Sequence, residues 1–354
     1  MYPKVKIDAK KLKNNINTLK TLCKERNIEI TGVTKVFSGD NNIAKILVDG
    51  GLNKLADSRI ENLKNLKDLK SEKWLIRPPM KTEIDELIEY ADASLNSELE
   101  TIEEIDKKAR KEDKVHKIIL MADLGDIREG YVDYEELIEV AIKVEEMKNV
   151  HLYGIGVNLT CFSFIQYSSE KLEKLVNIAE KIEKRINRKL EIISGGNSAA
   201  IDLMLRNEIP NRINNLRLGE SILFGKERSK YKYLENTNKD VFILEAEIIE
   251  IKNKPSMPWG EIGVDSYGNK PEFSDIGIRK KAICALGKQD FDVETSRLID
   301  EDIKILGASS DHFILDITDS NKKYELGDII EIELGYFSTM RAFTSKYVKK
   351  HNQL

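Results

Sequence analysis

"IEITGVTKVFSGDNNIAKILVDGGLNKLADS", residues 28–58, contains one full cycle of a repeating plan. The β-prone run IEITGVTK is followed by NNIAKILVDGG, whose apolar residues recur at three- and four-residue steps as on one face of a helix, and NKLADS then starts a second short strand. The plan continues. KWLIRPP, ADASLNS, HKIILMADLG, HLYGIGVNL, LEIISGGNS and NNLRLGESI are further β-prone runs, with amphipathic stretches such as TEIDELIEYA, DYEELIEVAIKVEEM and SSEKLEKLVNIAEKIEKRI among them. Eight strands, each followed by a helix, predict an α/β chain built on a closed (β/α)8 TIM-type barrel. A doubly wound open sheet usually has fewer repeats and a glycine-rich first turn, and no GxGxxG follows the first strand.

After about Gly225 the texture changes. DVFILEAEIIEI, RKKAICALG, DIKILGA, HFILDIT and DIIEIEL are strand-like runs separated by turn-formers, with no long helical pattern between them. The expected division is a barrel domain over residues 1–228 and a C-terminal all-β domain over 229–354, entered through the polar stretch KERSKYKYLENTNKD. The N-terminal strand and helix in VKIDAKKLKNNINTLKTL precede the first barrel strand and are available to pack on the β domain.

Composition narrows the function. The 354 residues are 41% apolar and 33% charged, which describes a soluble globular protein with a sizeable core. Its 57 basic and 61 acidic residues are interspersed, so neither a nucleic-acid nor an anionic-membrane surface is expected. Cys23, Cys161 and Cys284 show no CxxC spacing, and no two of the four histidines stand at helical metal-ligand spacing. The N-terminus lacks an apolar segment, and a cytoplasmic small-molecule enzyme without a metal is the expectation.

Strand ends in a barrel face one pocket. Those ends carry Lys35 after the first strand, Arg128 after the fifth, Asn158–Cys161 after the sixth, Ser194–Ser198 after the seventh and Arg217–Glu220 after the eighth. A lysine at a strand end ordinarily snorkels to solvent. A desolvated one has a lowered pKa and serves as a Schiff-base nucleophile. The turn SGGNSAA before a helical run exposes backbone N–H groups suited to an anion, and RLGES lies where many barrels hold a phosphate. Each motif alone is weak. Together, an amine, a phosphate cradle and an arginine call for pyridoxal phosphate.

On these motifs the chain resembles the alanine racemase family of fold-type III pyridoxal-phosphate enzymes, over nearly its whole length. The resemblance implies that Lys35 in GVTKVF holds the cofactor as a Schiff base and exchanges the Cα proton. It places Arg128 of MADLGDIREG near the cofactor's phenolic oxygen. Ser198 and the Gly219 and Glu220 backbone would hold the phosphate, together with Tyr336 of ELGYFSTMRAF. ILGASSDHFILDIT resembles a loop that the partner subunit of a homodimer contributes, with Ser310 and Asp311 nearest the substrate. Arg217 would face the pyridine nitrogen. An arginine cannot accept the ring's proton, so the ring stays neutral and withdraws fewer electrons, which favours racemisation. The related decarboxylases carry a glutamate there, in an E-P-G pattern, where this chain reads R-L-G.

The family's second acid/base is a tyrosine in a GY-x-DG motif, and this chain reads ALGKQDFD, with Lys288 at that place. Cys161 and Ser194 replace histidines, and Met121 replaces a lysine. Lys288 ranks first as the second acid/base, followed by Asp311, His312 and Cys161; for the last two, a structural hydrogen-bonder and a thiol packed as a small hydrophobe are equal alternatives. The pattern is most similar to the ornithine racemase branch, which implies ornithine, or lysine, as substrate, with Asp290, Asp292 and Asp311 as candidates for the distal ammonium. Racemisation of another amino acid such as alanine, or a carrier of pyridoxal phosphate, is the competing reading.

Overall fold

The computed structural model describes residues 1–264 and 268–353. They form two compact units, one made of residues 9–241 and the other of residues 1–8 with 242–353.

In the first unit the eight expected strands close into a barrel in chain order: Glu29–Val33, Lys54–Asp57, Glu72–Leu75, Ala93–Asn96, His116–Ala122, Val150–Val157, Ile192–Ser194 and Asn215–Leu218. Every neighbouring pair is parallel, and the last strand returns to the first with Thr31 opposite Arg217. Alternation along each strand sends every second side chain inward. Val33, Ala56, Trp74, Leu95, Met121, Tyr153 and Ile192, one from each of the first seven strands, belong to one buried cluster. Trp74 and Tyr153 meet edge to face inside it, ring centroids 6.1 Å apart. The eighth strand departs from this pattern and carries buried Asn215 and Arg217. Gly154 on the sixth strand leaves no room for a side chain, since a Cβ there would stand 2.0 Å from the Ile192 carbonyl oxygen.

The polar stretch after Gly225 folds with the barrel unit as far as Val241, so the units divide 13 residues later than the turn composition suggests. Hydrogen bonds explain this. Thr237 Oγ1 donates to Gly225 O at 2.8 Å, and Asn15 Oδ1 accepts from Asn238 N at 2.6 Å while its Nδ2 donates to Asn238 O at 2.8 Å. The Glu227 carboxylate gathers the N–H groups of Ser229, Lys230 and Lys232.

The second unit is a mainly antiparallel sheet in the order Ser296–Leu298, Ile329–Leu334, Phe242–Pro255, Ile278–Cys284, Phe313–Asp316, Lys304–Ala308. Lys4–Asp8 does pack here: it pairs antiparallel with Phe242–Pro255 and parallel with Lys349–Gln353. One helix, Tyr336–Thr344, interrupts the all-β texture. It buries Ser338, Thr339, Ala342 and Phe343, a helical spacing in which only two residues are apolar, so periodicity does not reveal it. Among the described residues no helix is long and apolar enough to cross a membrane.

Because Ala93 and Leu95 point into the barrel, Ser94 and Asn96 face the helical layer. There Ser94 Oγ lies 2.9 Å from Nε2 of His116, which is fully enclosed. Burial lowers the His116 pKa to about 4, so the folded chain keeps the ring neutral where the unfolded chain protonates it. Stability therefore declines as pH falls from about 6.5 to about 4, by about 3 kcal/mol from this group, and no further below. Urea unfolding at pH 7 and pH 4.5 is expected to show this loss, and His116→Gln, which does not titrate there, is expected to lack that part of it.

Candidate active site

The strand ends of the barrel gather the basic and hydroxyl groups expected from the sequence. Lys35 begins a short 3-10 turn, Lys35–Phe37, directly after the first strand. The preceding residue, Thr34, is tied down by its hydroxyl, which donates to Asp57 Oδ2 at 2.5 Å at the end of the second strand. Asp57 in turn accepts from Arg59 N and Asn62 Nδ2, both at 3.0 Å, so its carboxylate is engaged by these three groups. Lys35 is half-buried, and among the described residues its amine has no hydrogen-bond or ion-pair partner.

Arg217 is the second unusual group. It is 4% exposed, yet no carboxylate among the described residues pairs with it. Its Nη1 donates to Ser194 Oγ at 2.6 Å and its Nη2 to Val157 O at 2.8 Å. Burial pushes its pKa below the ordinary arginine value, against the opposing influence of Tyr167, Glu129 and Cys161, while Arg128 adds like-charge repulsion. These interactions bring Arg128, Cys161 and Arg217 into one electrostatic neighbourhood. Burial likewise works against the charge of Arg128, but its bidentate pair with Glu129 more than compensates and raises its pKa.

Loops after the fifth and sixth strands are built as one piece. The buried Asp126 carboxylate accepts from the backbone N–H groups of Cys161, Phe162 and Ser163 at 3.1–3.3 Å, and Asp126 O accepts from Ser163 Oγ at 2.8 Å. Cys161 is exposed, so it is not the packed small hydrophobe considered above; the Asp126 bonds hold its backbone at the rim. Its sulfur lies 3.5 Å from Asn197 Nδ2.

Ser198, expected at the phosphate, stands against Ser221. Their hydroxyl oxygens are 3.0 Å apart, and Ser198 Oγ also accepts from Ser221 N at 3.2 Å. Gly219 and Glu220 open the short helix Glu220–Phe224 beside them. Burial raises the pKa of the Glu220 carboxyl, opposed by Lys226 and Arg228 at 3.5 and 3.4 Å. Tyr167 is a residue that the sequence pattern does not flag. Its buried hydroxyl accepts from Leu159 N at 3.0 Å and Asn197 N at 3.3 Å, locking the sixth and seventh loops together. Gly196, at φ +117°, is required at that contact, because a Cβ would lie 2.1 Å from the hydroxyl.

Lys288, Ser310, Asp311 and Tyr336 belong to the other unit. There the loops around Lys288 and Ser310 are stitched together: Lys288 N donates to Ser309 O at 2.8 Å, Gln289 N to Ser310 O at 3.2 Å, and Gln289 Nε2 to Asp311 Oδ1 at 2.7 Å. Phe291 and Phe313 pack edge to face beneath them, centroids 4.9 Å apart. Arg341, on the helix that Tyr336 begins, donates to Lys288 O at 3.0 Å. Lys288 and Asp311 are exposed, and the Lys288 ammonium has no partner among the described residues. His312 is engaged with Ser309. Asp290 is buried on Ser345 Oγ, and Asp292 accepts from Thr295 N and Oγ1, so both are committed to loop structure. Asp311 is left as the exposed carboxylate.

The barrel mouth thus offers donors in excess: the remaining Arg217 N–H groups and the buried, unpartnered Asn158 Nδ2 lack protein acceptors among the described residues. An acceptor-rich anionic group with a carbonyl carbon for Lys35 fits this set.

Comparison with known proteins places the chain. The model of the alanine racemase N-terminal domain matches residues 7–227. Ornithine racemase of Acetoanaerobium sticklandii is 45% identical over 350 residues, 99% of each chain. Lysine racemase of Thermotoga maritima is 37% identical over 352 residues, covering 99% of this chain and 98% of that one. Among solved structures, alanine racemase from Bartonella henselae with covalently bound pyridoxal phosphate superposes with a TM-score of 0.74 at 18% identity, each chain covered completely, and so supports the fold. A family match across the barrel, with relatives this similar from end to end, means that the chain belongs to the alanine racemase family.

Proposed function

We propose that this chain is a pyridoxal-phosphate-dependent amino-acid racemase that interconverts L- and D-ornithine, working as a cytoplasmic homodimer. The observation that carries the reading is Arg217, a buried guanidinium without a carboxylate partner among the described residues, at the closing seam whose first strand leads into Lys35. Full-length similarity to an ornithine racemase favours ornithine, and similarity to a lysine racemase makes lysine the second substrate to test.

Ser198, Gly219 and Glu220, with Tyr336, would hold the phosphate, Arg128 the phenolic oxygen, and Arg217 the ring nitrogen. Bound pyridoxal phosphate supplies an aldehyde for the substrate's amine and a ring that spreads the charge left when the Cα proton departs. Arg217 donates and does not take up a proton, so it keeps that ring neutral. Lys35 removes or returns the Cα proton on one face. Lys288 serves the opposite face, and racemisation requires both. Asp311, with Ser310 and Cys161 as further substrate contacts, offers the exposed carboxylate for a distal ammonium.

In deuterium oxide, the holoenzyme with L-ornithine is expected to place deuterium at Cα in both enantiomers while optical rotation decays to zero. Carbon dioxide release with retained protium would overturn the reading. Lys35→Ala is expected to slow racemisation by about 1,000-fold or more and to abolish the borohydride-labelled peptide that contains position 35.

Lys288→Met separates the two faces. Racemisation is expected to fall about 100-fold while one enantiomer still exchanges its Cα proton with solvent, read by NMR. Exchange of both enantiomers at the wild-type rate would remove Lys288 from the second position.

A further inference from the structure

Inside the barrel, a polar seam crosses the first, eighth and seventh strands. Thr31, Asn215 and Ser194 are completely buried, and Arg217 is 4% exposed. Thr31 lies two residues before the inward-facing Val33, and Ser194 two after the inward-facing Ile192, so both side chains point into the barrel. Asn215 Nδ2 donates to Thr31 Oγ1 at 2.8 Å and to Glu29 O at 3.3 Å. Asn215 Oδ1 accepts from Ser194 Oγ at 2.7 Å, and Ser194 Oγ accepts from Arg217 Nη1 at 2.6 Å.

The direction of this chain is forced. A carboxamide has one donor end, and the Glu29 carbonyl, which can only accept, requires that end to face it and Thr31. The amide oxygen is then left for Ser194. A serine hydroxyl has a single proton, and once it is committed to Asn215 only lone pairs remain for the guanidinium. The Glu29 carbonyl therefore sets the sense of the Asn215 amide and Thr31 Oγ1 holds it with a second bond, Asn215 sets the Ser194 rotor, and Ser194 presents an acceptor to Arg217. Without that acceptor Arg217 would keep one hydrogen bond among the described residues, to Val157 O, about which it could swing.

From this geometry we infer that Asn215, held by Thr31 and the Glu29 carbonyl, is a positioning residue of the racemase site. Acting through Ser194, it holds Arg217 in one orientation with its remaining N–H groups free for the ring of the bound group. The inference rests on the functional reading above, and Thr31 supplies the mildest handle on it, because Thr31→Val keeps the shape of the side chain and deletes the hydroxyl.

The test compares Thr31→Val, Thr31→Ser, Ser194→Ala and the Thr31→Val/Ser194→Ala double variant as holoenzymes. Thr31→Val is expected to lower kcat about tenfold with KM changed by less than about threefold, and to shift the visible absorbance of the bound cofactor. Thr31→Ser restores both. The double variant is no slower than Ser194→Ala alone, since both act on the same contact. Unchanged kcat and absorbance in Thr31→Val, equal defects in Thr31→Val and Thr31→Ser, or additive losses in the double variant would each overturn the inference. A wild-type holoenzyme that binds the cofactor but racemises no amino acid would refute the functional reading instead, and the absorbance comparison would still decide the role of the seam.

Discussion

The pairing of the first barrel strand with the eighth is the constraint on which the site depends. Glu29–Gly32 hydrogen-bonds in parallel register with Asn215–Leu218, and this closure brings the strand that leads into Lys35 beside the strand that carries Arg217. Register matters as much as closure. A shift by one residue would exchange inward and outward faces, sending Asn215 and Arg217 toward the helices and breaking their bonds to Thr31 and Ser194.

A closed barrel also explains how the Arg217 cation can be held with no carboxylate paired to it among the described residues. Desolvation disfavours an unpaired guanidinium, but arginine resists deprotonation and its N–H groups can be met by neutral acceptors. Ser194 and the Val157 carbonyl meet two of them. The site is thereby strongly donor-biased without being neutralised, and its complement is an acceptor-rich anion. Arg128 differs: it lies at the rim, with Glu129 as counterion. The two arginines thus have opposite pKa directions, because one is enclosed by neutral groups and the other is paired with a carboxylate.

In the β domain the same economy of partners distinguishes structural from available groups. Asp290 and Asp292 are consumed by Ser345 and Thr295, whereas Asp311 stays exposed, with the Gln289 amide as its side-chain partner among the described residues. The aromatic pair Phe291 and Phe313 anchors both loops from below, so Lys288 and Asp311 are carried on a braced tip.

Much of this was legible in the chain itself. Eight β-prone runs separated by helical periodicity determined the barrel, because strand and helix spacing are local properties. Lys35, Arg128, Ser198 and Arg217 could be singled out because each follows or ends a recognisable strand. The extent of the barrel unit to Val241 was not legible, since the bonds of Asn15 and Thr237 join segments whose composition reads as a linker. Nor could Thr31, Asn215, Asp126 or Tyr167 be picked out: an asparagine or a threonine in a strand has no pattern of its own. Their roles exist only once distant strands and loops are brought into hydrogen-bonding distance, where burial makes the direction of each donor count. Local periodicity therefore set the architecture, and closure of the barrel decided which polar groups would be paired and which left available for a ligand.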